Sequence, residues 1–499
     1  MPRSNDRLAG AIAAAHLRSR LRVCVRFAAT ALSGAVLTAG LAGCVAGPDF
    51  AAPPAPKSTS YTASPLPNLA GGDTTLDSAL AAPAQWWALL ESPRLDSTIR
   101  EALAANRSLD AARSTLAEAQ ALSDASTAGR YPHADLDASA GRQKYGAAFL
   151  GPVRLPPFTY YSIGPAVSYT FDFAGGVRRT IEQQRAYTEY RQRELDAAAL
   201  SVSGNVAMQA LAAAAARAQI ENLEALLEDD RADLKLVQGS FADGAATRVD
   251  VLNARSQLAN DETLLPPLRR QLSVAMHALA LLAGRTPAEW TAPDFKLDEF
   301  KLPPRLPLTV PSELVHRRPD ILAAEAQLHA ATAAVGVASA DLYPQISLTG
   351  SASMQANTLH ALFDASSAAA GVAGSLTAPL FDHGALRARQ RAAVDAMHGS
   401  LASYEQVVLS SFDQVADALE ALDHDQELLV SEQSAVATAA DNLALTRESY
   451  SAGNSGVLQV LEAQRQNQQA RLGLVNAQSQ RLQDTVQLLL ALGGRAPST

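Results

Sequence analysis

The sequence predicts an α+β membrane protein in which a few strands accompany very long helices. Three observations support this fold class. Residues 177–265 and 380–496 contain no proline, and the chain is rich in alanine, the strongest helix former. Four short segments alternate between apolar and polar residues, which is the period of a strand. The chain also begins with a segment typical of export.

The first 43 residues predict a bacterial lipoprotein signal peptide. Several arginines precede an uncharged run from Phe27 to Leu41, and Leu-Ala-Gly-Cys ends at Cys44. The apolar run has roughly 15 residues, fewer than the roughly 20 of a membrane-spanning helix. Leu-Ala-Gly-Cys is typical of the box at which lipoproteins are acylated, so we predict a lipid on Cys44; the alternative is an ordinary secretory signal with an accidental cysteine. Val45 follows, where aspartate would favour retention in the inner membrane, so the outer membrane is favoured.

The chain contains one unit of roughly 210 residues twice. The segment "LDAARSTLAEAQ" ahead of "AGRYPHADLDASAG" parallels "ILAAEAQLHAAT" ahead of "SADLYPQISLTGSA", and "FADGAATRVDVLNARSQ" parallels "YSAGNSGVLQVLEAQRQ". Between the signal and the first unit, proline, serine and threonine predict an extended tether. We therefore predict a signal peptide at 1–43, a lipidated extended segment at 44–93, a first repeat of helix, β-hairpin and long helix pair at 94–300, and a second repeat at 301–499.

Each repeat contains two alternating segments that predict one β-hairpin. They are "HADLDASAG" (133–141) with "YSIGPAVSYTFDF" (161–173), and "QISLTGSASM" (345–354) with "VAGSLTAPLF" (372–381). A half-buried sheet of a soluble domain is one interpretation. The strand lengths and small polar residues also suit a membrane barrel. Lipid offers no partners to open sheet edges, and four strands cannot close a barrel alone, so this second interpretation requires a homo-oligomer.

Long helices connect the hairpins. The turn signals "SFADGAATRVD" and "SYSAGNSGV" divide each proline-free run into a long helix and a returning partner. The helix from Gly176 to about Phe241 would be roughly 100 Å long at 1.5 Å per residue. Residues 197–216 are uncharged over a membrane-span length, but polar residues interrupt them, so we predict close packing in a helical tube instead of a transmembrane helix.

A family resemblance rests on four stretches: "LVHRRPDILAAEAQLHAATAAVGVASADLYPQISLTGS", "LTAPLFDHGALRAR", "GNSGVLQVLEAQR", and "CVAGPDF" followed by "QWWALLESPRLDSTIREALAAN". Together they resemble the outer-membrane efflux proteins, specifically lipoprotein outer-membrane factors of the TolC and NodT type, over residues 44–492. The resemblance implies a homotrimer whose twelve-stranded outer-membrane β-barrel, four strands per chain, continues as a periplasmic α-helical tunnel. It implies three further partners: a periplasmic adaptor (membrane fusion) protein, an inner-membrane pump and outer-membrane lipid. The function implied is passive exit of small molecules such as drugs or toxic compounds.

The resemblance also implies functional residues. The channel constriction maps to Leu458 and Glu462, which symmetry would turn into rings; leucine rings exclude water and carboxylate rings favour cations. The alternative for Glu462 is a solvated residue on a helix surface. Arg248 and Asp250, beside the first turn, are candidate contacts of the periplasmic tip that would hold the closed state.

Glycines mark the positions where strands give way to long helices. Gly175 and Gly176 in "FDFAGG" and Gly384 in "FDHG" are predicted hinges, because glycine adopts backbone angles that other residues avoid. In "RRPDILAAE", Pro319 suits the first position of a helix and Asp320 suits its positive end, so this block is predicted to be structural.

The sequence offers little support for catalysis. The net charge of −9 does not suit a nucleic-acid-binding protein. The histidines show no metal-ligand spacing, and neither a Gly-x-Ser-x-Gly elbow nor a phosphate loop is present. We therefore predict no enzyme, cofactor or metal site. Three alternatives stay open: a lipoprotein hydrolase, a coiled-coil tether between membranes, and an exit duct for secreted polypeptides.

Overall fold

The computed structural model describes residues 45–62, 75–77, 80, 83–146 and 156–493. The predicted signal peptide at 1–43 and the predicted lipidation site Cys44 lie outside these residues. The described residues form two compact units, one drawn from 45–50, 122–185 and 330–397 and the other from 51–121, 186–329 and 398–493. Each unit takes residues from both predicted repeats, so the division at residue 300 stays a prediction about sequence duplication.

The described residues are mostly helical. The helices are α1 (Pro93–Ala105), α2 (Arg107–Ala128), α3 (Gly176–Ala242), α4 (Arg248–Glu262), α5 (Leu265–Leu282), α6 (Pro311–Leu314), α7 (Pro319–Ala340), α8 (Ala385–Ser451) and α9 (Val457–Ala491). The strands are β1 (Thr75–Asp77), β2 (His133–Gln143), β3 (Phe158–Phe171), β4 (Arg305–Pro307), β5 (Gln345–Ala356) and β6 (Ala368–Thr377).

The first unit contains a four-stranded antiparallel sheet in the order β2-β3-β5-β6. Leu136 lies opposite Pro165 and Tyr169 lies opposite Leu348, so the register collects apolar residues on one face. That face, the apolar face, includes Ala134, Leu136, Ala138, Ile163, Pro165, Val167, Tyr169, Phe171, Ile346, Leu348, Val372 and Leu376. The other face, the polar face, includes Asp135, Asp137, Ser139, Ser162, Ser168, Thr170, Ser347, Thr349, Ser351 and Ser375.

Neither face of this sheet is covered within the described part of the first unit. On the apolar face Val372 is 80% exposed and Leu376 is 67% exposed. A sheet of a soluble domain would bury such residues, because each large apolar side chain gains about 1.5–3 kcal/mol on leaving water. Within the described residues, this sheet therefore does not bury one face as the sheet of a soluble domain would.

The fourth strand differs from its predicted position. The alternation predicted 372–381, but β6 runs from Ala368 to Thr377. Pro379 follows the strand, and proline has no amide hydrogen for a ladder. The missed beginning, residues 368–371, pairs with β5 but consists of alanine and glycine, which do not distinguish the two faces in a sequence pattern.

The second unit has an apolar core in which Trp86, Leu95 and Phe295 are fully buried. Trp86 Nε1 donates a hydrogen bond to Ser203 Oγ at 3.2 Å, which satisfies the buried indole. The uncharged segment of α3 lies in this core, with Ala207 and Ala210 inaccessible to solvent. By length and composition α3 and α7 each contain a stretch apolar enough to cross a membrane, but about half of each stretch is buried inside the protein. For α3, this burial supports the predicted packing.

Two predicted helices are interrupted. The first helix of the first repeat stops at Ala105, and Asn106 begins α2 by accepting hydrogen bonds from the amides of Ser108 and Leu109. The Asn106 amide also donates to the carbonyl of Leu282 at 2.8 Å. The helix returning from the first turn divides into α4 and α5 just before Pro266 and Pro267, which lack the amide hydrogen that a continuous helix requires.

Candidate functional site

The predicted constriction residues lie at the beginning of α9. Leu458, Glu462 and Arg465 recur at helical spacing, and all three are exposed, with Leu458 51% accessible. Val460, Ala463 and Gln464, on the opposite side of the helix, are buried. One face of α9 therefore packs against the rest of the second unit, whereas the stripe that contains Leu458 and Glu462 is exposed to solvent.

Glu462 is paired with a cation of its own helix. Arg465 Nη2 lies 2.6 Å from Glu462 Oε1, and Arg465 Nε donates to Oε2 at 3.1 Å. Gln466 donates to Oε1 as well, at 3.0 Å. The hydrogen bonds from Arg465 hold the pKa of Glu462 below its ordinary value, so the carboxylate is charged at neutral pH. A ring of Glu462 would thus carry a ring of Arg465 beside it.

The turns that precede α4 and α9 have the same backbone geometry. In the first turn Gly244 has a φ of +78°, and the amide of Ala245 donates to Ser240 O at 2.7 Å. In the second, Gly453 has a φ of +76°, and the amide of Asn454 donates to Ser449 O at 2.9 Å. Glycine permits this left-handed conformation at both helix ends.

The helix beginnings after the two turns differ. Thr247 and Asp250 form a reciprocal capping box on α4: Thr247 N donates to Asp250 Oδ2 at 2.8 Å, and Asp250 N donates to Thr247 Oγ1 at 3.3 Å. The hydrogen bond from the Thr247 amide lowers the pKa of Asp250. On α9, the residue before the helix is Gly456, which has no side chain; only its amide is capped, by Gln459 Oε1 at 2.6 Å.

A cleft of about 810 Å³ brings three of the four predicted constriction and tip residues together. Asp250, Leu458 and Glu462 line it with Tyr450. Arg248 does not line this cleft; it is exposed, and no described residue forms an ion pair with it. Asp250 is occupied in its capping box, and Arg248 has no ion-pair partner among the described residues, so their role as tip contacts stays a prediction.

The predicted hinges lie between strands and long helices, as expected from the sequence. Gly175 and Gly384 have φ values of +79° and +85°, which glycine adopts without strain, whereas Gly176 has an ordinary φ as the first residue of α3. An aspartate caps each helix: Asp172 accepts from Val177 N at 2.8 Å, and Asp382 accepts from Leu386 N at 2.7 Å. The equivalent junctions of the two repeats are built alike.

One family model matches residues 98–285 and 310–494, and its description is outer membrane efflux protein. The chain belongs to the outer membrane efflux protein family. The two matched segments make up most of the described chain. The family consists of channel proteins, not enzymes.

Individual relatives of this efflux protein agree with that assignment. The pyoverdine export outer membrane protein OpmQ of Pseudomonas aeruginosa is 32% identical, over 84% of this chain and 92% of the relative. The probable outer membrane lipoprotein SilC of Salmonella typhimurium is 27% identical, over 91% and 96% of the two chains. Among solved structures, the outer-membrane channel OprN superposes with a TM-score of 0.83 at 28% identity, over 90% of this chain and 99% of that one. This efflux protein is thus a protein of the outer membrane.

Buried carboxylates are the features of this efflux protein that the sequence analysis missed. Asp230 on α3 faces Asp261 on α4, and Asp425 on α8 faces Asp484 on α9; all four are buried. Burial, and then the neighbouring carboxyl group, raises the pKa of Asp230 and of Asp425 to about 7. Neither pair is detectable from spacing, because each joins two helices. In the described ranges no three His, Cys, Asp or Glu side chains form a metal-binding group.

Proposed function

We propose that this efflux protein is the passive outer-membrane exit duct of a tripartite pump. Three copies would close a twelve-stranded barrel continued by a periplasmic helical tunnel, and a periplasmic adaptor with an inner-membrane pump would open it. The cargo would be small molecules such as drugs or toxic compounds. The observation that carries the proposal is the sheet β2-β3-β5-β6, which has an exposed apolar face and two open edges.

The open edges explain why several chains are needed. Among the described residues, no strand pairs with the outer edge of β2 or of β6. Unpaired backbone groups are costly in lipid, so a membrane sheet must close on itself. The four strands alternate in direction, so β6 of one copy can continue into β2 of the next as an antiparallel pair. In such a barrel the apolar face would meet lipid and the polar face would line water.

The lipid anchor at Cys44 is part of the same proposal. The signal pattern predicts acylation at Cys44, and the related SilC is named as a probable lipoprotein of the outer membrane. Two or more acyl chains hold a protein stably at a membrane, whereas a single chain does so only marginally. The proposed anchor and barrel therefore belong to one membrane.

The gate is proposed at the beginning of α9. Leu458 and Glu462 project from the exposed stripe of the helix, where neighbouring copies would bring their equivalents together. Arg248 and Asp250 are proposed as contacts at the tip between neighbouring copies. Gly175, Gly176 and Gly384 are the proposed hinges, and Gly384→Ala would strain the left-handed backbone by about 1 kcal/mol.

An exit duct for polypeptides would use the same fold. The related protein TtgI of Pseudomonas putida is named as the outer membrane protein of a toluene efflux pump, which favours a small molecule as cargo. Two measurements together separate the two functions. The first is the conductance of the purified protein in planar bilayers. The second is the protection from toxic compounds that the protein gives to cells lacking their own outer-membrane channel. A polypeptide duct would conduct ions but restore no resistance.

Cysteine cross-linking tests the barrel directly. The mature chain would retain only Cys44, which is acylated, so cysteines introduced on the polar face of β2 and β6 can react only with each other. We expect oxidation to give covalent dimers and trimers and no larger species. As a matched control, cysteines at Ser168 and Thr349, which lie opposite each other on β3 and β5, should bond within one chain. Cross-linking only in the control would refute closure between copies.

A further inference from the structure

The residues directly after Cys44 are held against the first unit. The Ala46 amide donates a hydrogen bond to the Ala174 carbonyl at 2.9 Å. Val45 lies so close to Gly175 that a Cβ on that glycine would be 3.0 Å from Val45 Cα. The sequence predicted an extended tether from residue 44, yet Val45–Phe50, the beginning of that tether, is seated at the turn between β3 and α3.

We call the surface that contacts Val45–Phe50, formed by Ala174, Gly175, Arg179 and Gly336, the seat. Gly47 fits against it because glycine has no side chain. It has a φ of +85°, and a Cβ there would lie 2.4 Å from Gly336 Cα on α7. Both the backbone angle and the contact exclude any larger residue. The "GPDF" motif that follows the lipidation box thus has a specific place in the fold.

Arg179 on α3 is the central group of the seat. Its side chain is only 4% exposed, and Nη2 lies 2.6 Å from Asp49 Oδ1. Arg179 Nε donates to the Ala46 carbonyl at 3.2 Å, and Nη1 contacts Glu182 Oε2 at 2.7 Å. A buried guanidinium is costly unless its donors are satisfied. Two of these three partners come from the segment that follows the lipid.

We infer that Arg179 seats the lipid-bearing end of the chain at the β3–α3 junction and thereby fixes where the acyl chains enter the membrane. The inference rests on the proposed acylation of Cys44, which is bonded directly to the seated Val45. The strands β2, β3, β5 and β6 all meet their neighbouring helices at the same end of the sheet. Acyl chains that emerge there would enter the leaflet next to the apolar face.

This arrangement links lipid insertion to strand insertion. A lipid one residue from Val45, which contacts the turn after β3, brings the strands to the bilayer at high effective concentration, whereas a flexible tether dilutes them over the volume it can reach. Breaking the seat should therefore leave the protein acylated and membrane-bound but slow the assembly of its barrel. A merely structural Arg179 would act equally with and without the lipid.

The experiment combines seat variants with loss of the lipid. Asp49→Asn weakens the ion pair from a side chain that is 92% exposed, so it leaves the core unchanged, and Arg179→Gln removes the guanidinium. Arg185→Gln, at an exposed position on the same helix, is the matched control. Each is expressed as the full chain, with Cys44 and with Cys44→Ser. Mass spectrometry measures acylation, and pulse-labelling with semi-native electrophoresis measures the rate at which heat-resistant oligomers form.

With Cys44 present, we expect Asp49→Asn and Arg179→Gln to slow oligomer formation at least three-fold and Arg185→Gln to leave it unchanged. In the Cys44→Ser background the seat variants should cause no further slowing. Equal slowing in both backgrounds, or none with an acylated chain, would overturn the inference alone. If mass spectrometry finds no acyl groups on the wild-type chain, the proposed lipid anchor itself is wrong. This failure is distinguished from failure of the inference about Arg179, because acylation is measured separately from oligomer formation.

Discussion

Substituting Asp230 should make the α3–α4 hairpin more stable at alkaline pH. Asp230 is 3% exposed, and its Oδ2 has no hydrogen-bond partner among the described residues. Asp261 accepts a hydrogen bond from Gln257 Nε2 at 2.7 Å and faces Asp230 from α4. The other charged groups nearby are Asp229 and Asp233 on α3, Arg447 on α8 and Arg465 on α9.

The magnitude follows from the raised pKa of Asp230. A shift from 3.8 to about 7 corresponds to a ceiling of about 4 kcal/mol at 1.36 kcal/mol per unit. Because the raised pKa of Asp230 depends on its interaction with Asp261 as well as on its own burial, we expect about 1–3 kcal/mol. The folded-state pKa lies above the unfolded value, so the penalty is absent below about pH 4, grows as the pH rises to 7 and is complete above it.

Hydrogen exchange of α3 and α4 peptides, corrected for intrinsic rates, measures this effect. From pH 5 to pH 8 the wild-type hairpin should lose protection, whereas Asp230→Asn should keep it, with exchange about 5- to 100-fold slower than wild type at pH 8. Glu228→Gln removes a charge from an exposed position of the same helix and should behave like wild type. If Asp230→Asn loses protection between pH 5 and pH 8 as wild type does, the carboxyl pair is not the cause.

Further predictions concern the gate and the tip. Glu462→Gln should lower cation preference in single-channel recordings and Arg465→Gln should raise it, because the two charges offset each other; the same shift in both variants would contradict the pairing. Leu458→Ala should raise conductance by widening an apolar ring, and unchanged conductance would place the gate elsewhere. Asp250→Ala should destabilise the first turn of α4 by about 1 kcal/mol, seen as faster hydrogen exchange there. Arg248→Ala should leave that exchange unchanged.

The extent to which the sequence predicted the fold depended on whether the signal was local. Strict alternation placed β3 to within three residues at its start and two at its end, because its two faces differ in polarity along most of the strand. The beginning of β6 was missed because alanine and glycine suit either face. The break at Asn106 could not be predicted, since it depends on the carbonyl of Leu282, far away in the sequence.

The candidate site shows the same limit. Glu462 was indicated by resemblance, and its partner Arg465 was available from the three-residue spacing on one helix. The pairing of Asp230 with Asp261 could not be predicted from the sequence, because the burial of a carboxylate depends on helices that meet only after folding. Arg179 likewise resembles any helix-surface arginine until Val45–Phe50 is placed against it.

The first turns of α4 and α9 are capped differently, so they should differ in how easily they unwind under mechanical force. A threonine and a carboxylate lock the first turn of α4, but Gly456 leaves the first turn of α9 with one amide capped and no side chain to replace a lost contact. Thermal fraying should therefore begin at α9, in the turn that carries Leu458. If Leu458 forms the proposed ring, a partner that pulls on the tip would need to unwind only a single helical turn to disturb it, while both long helices stay intact.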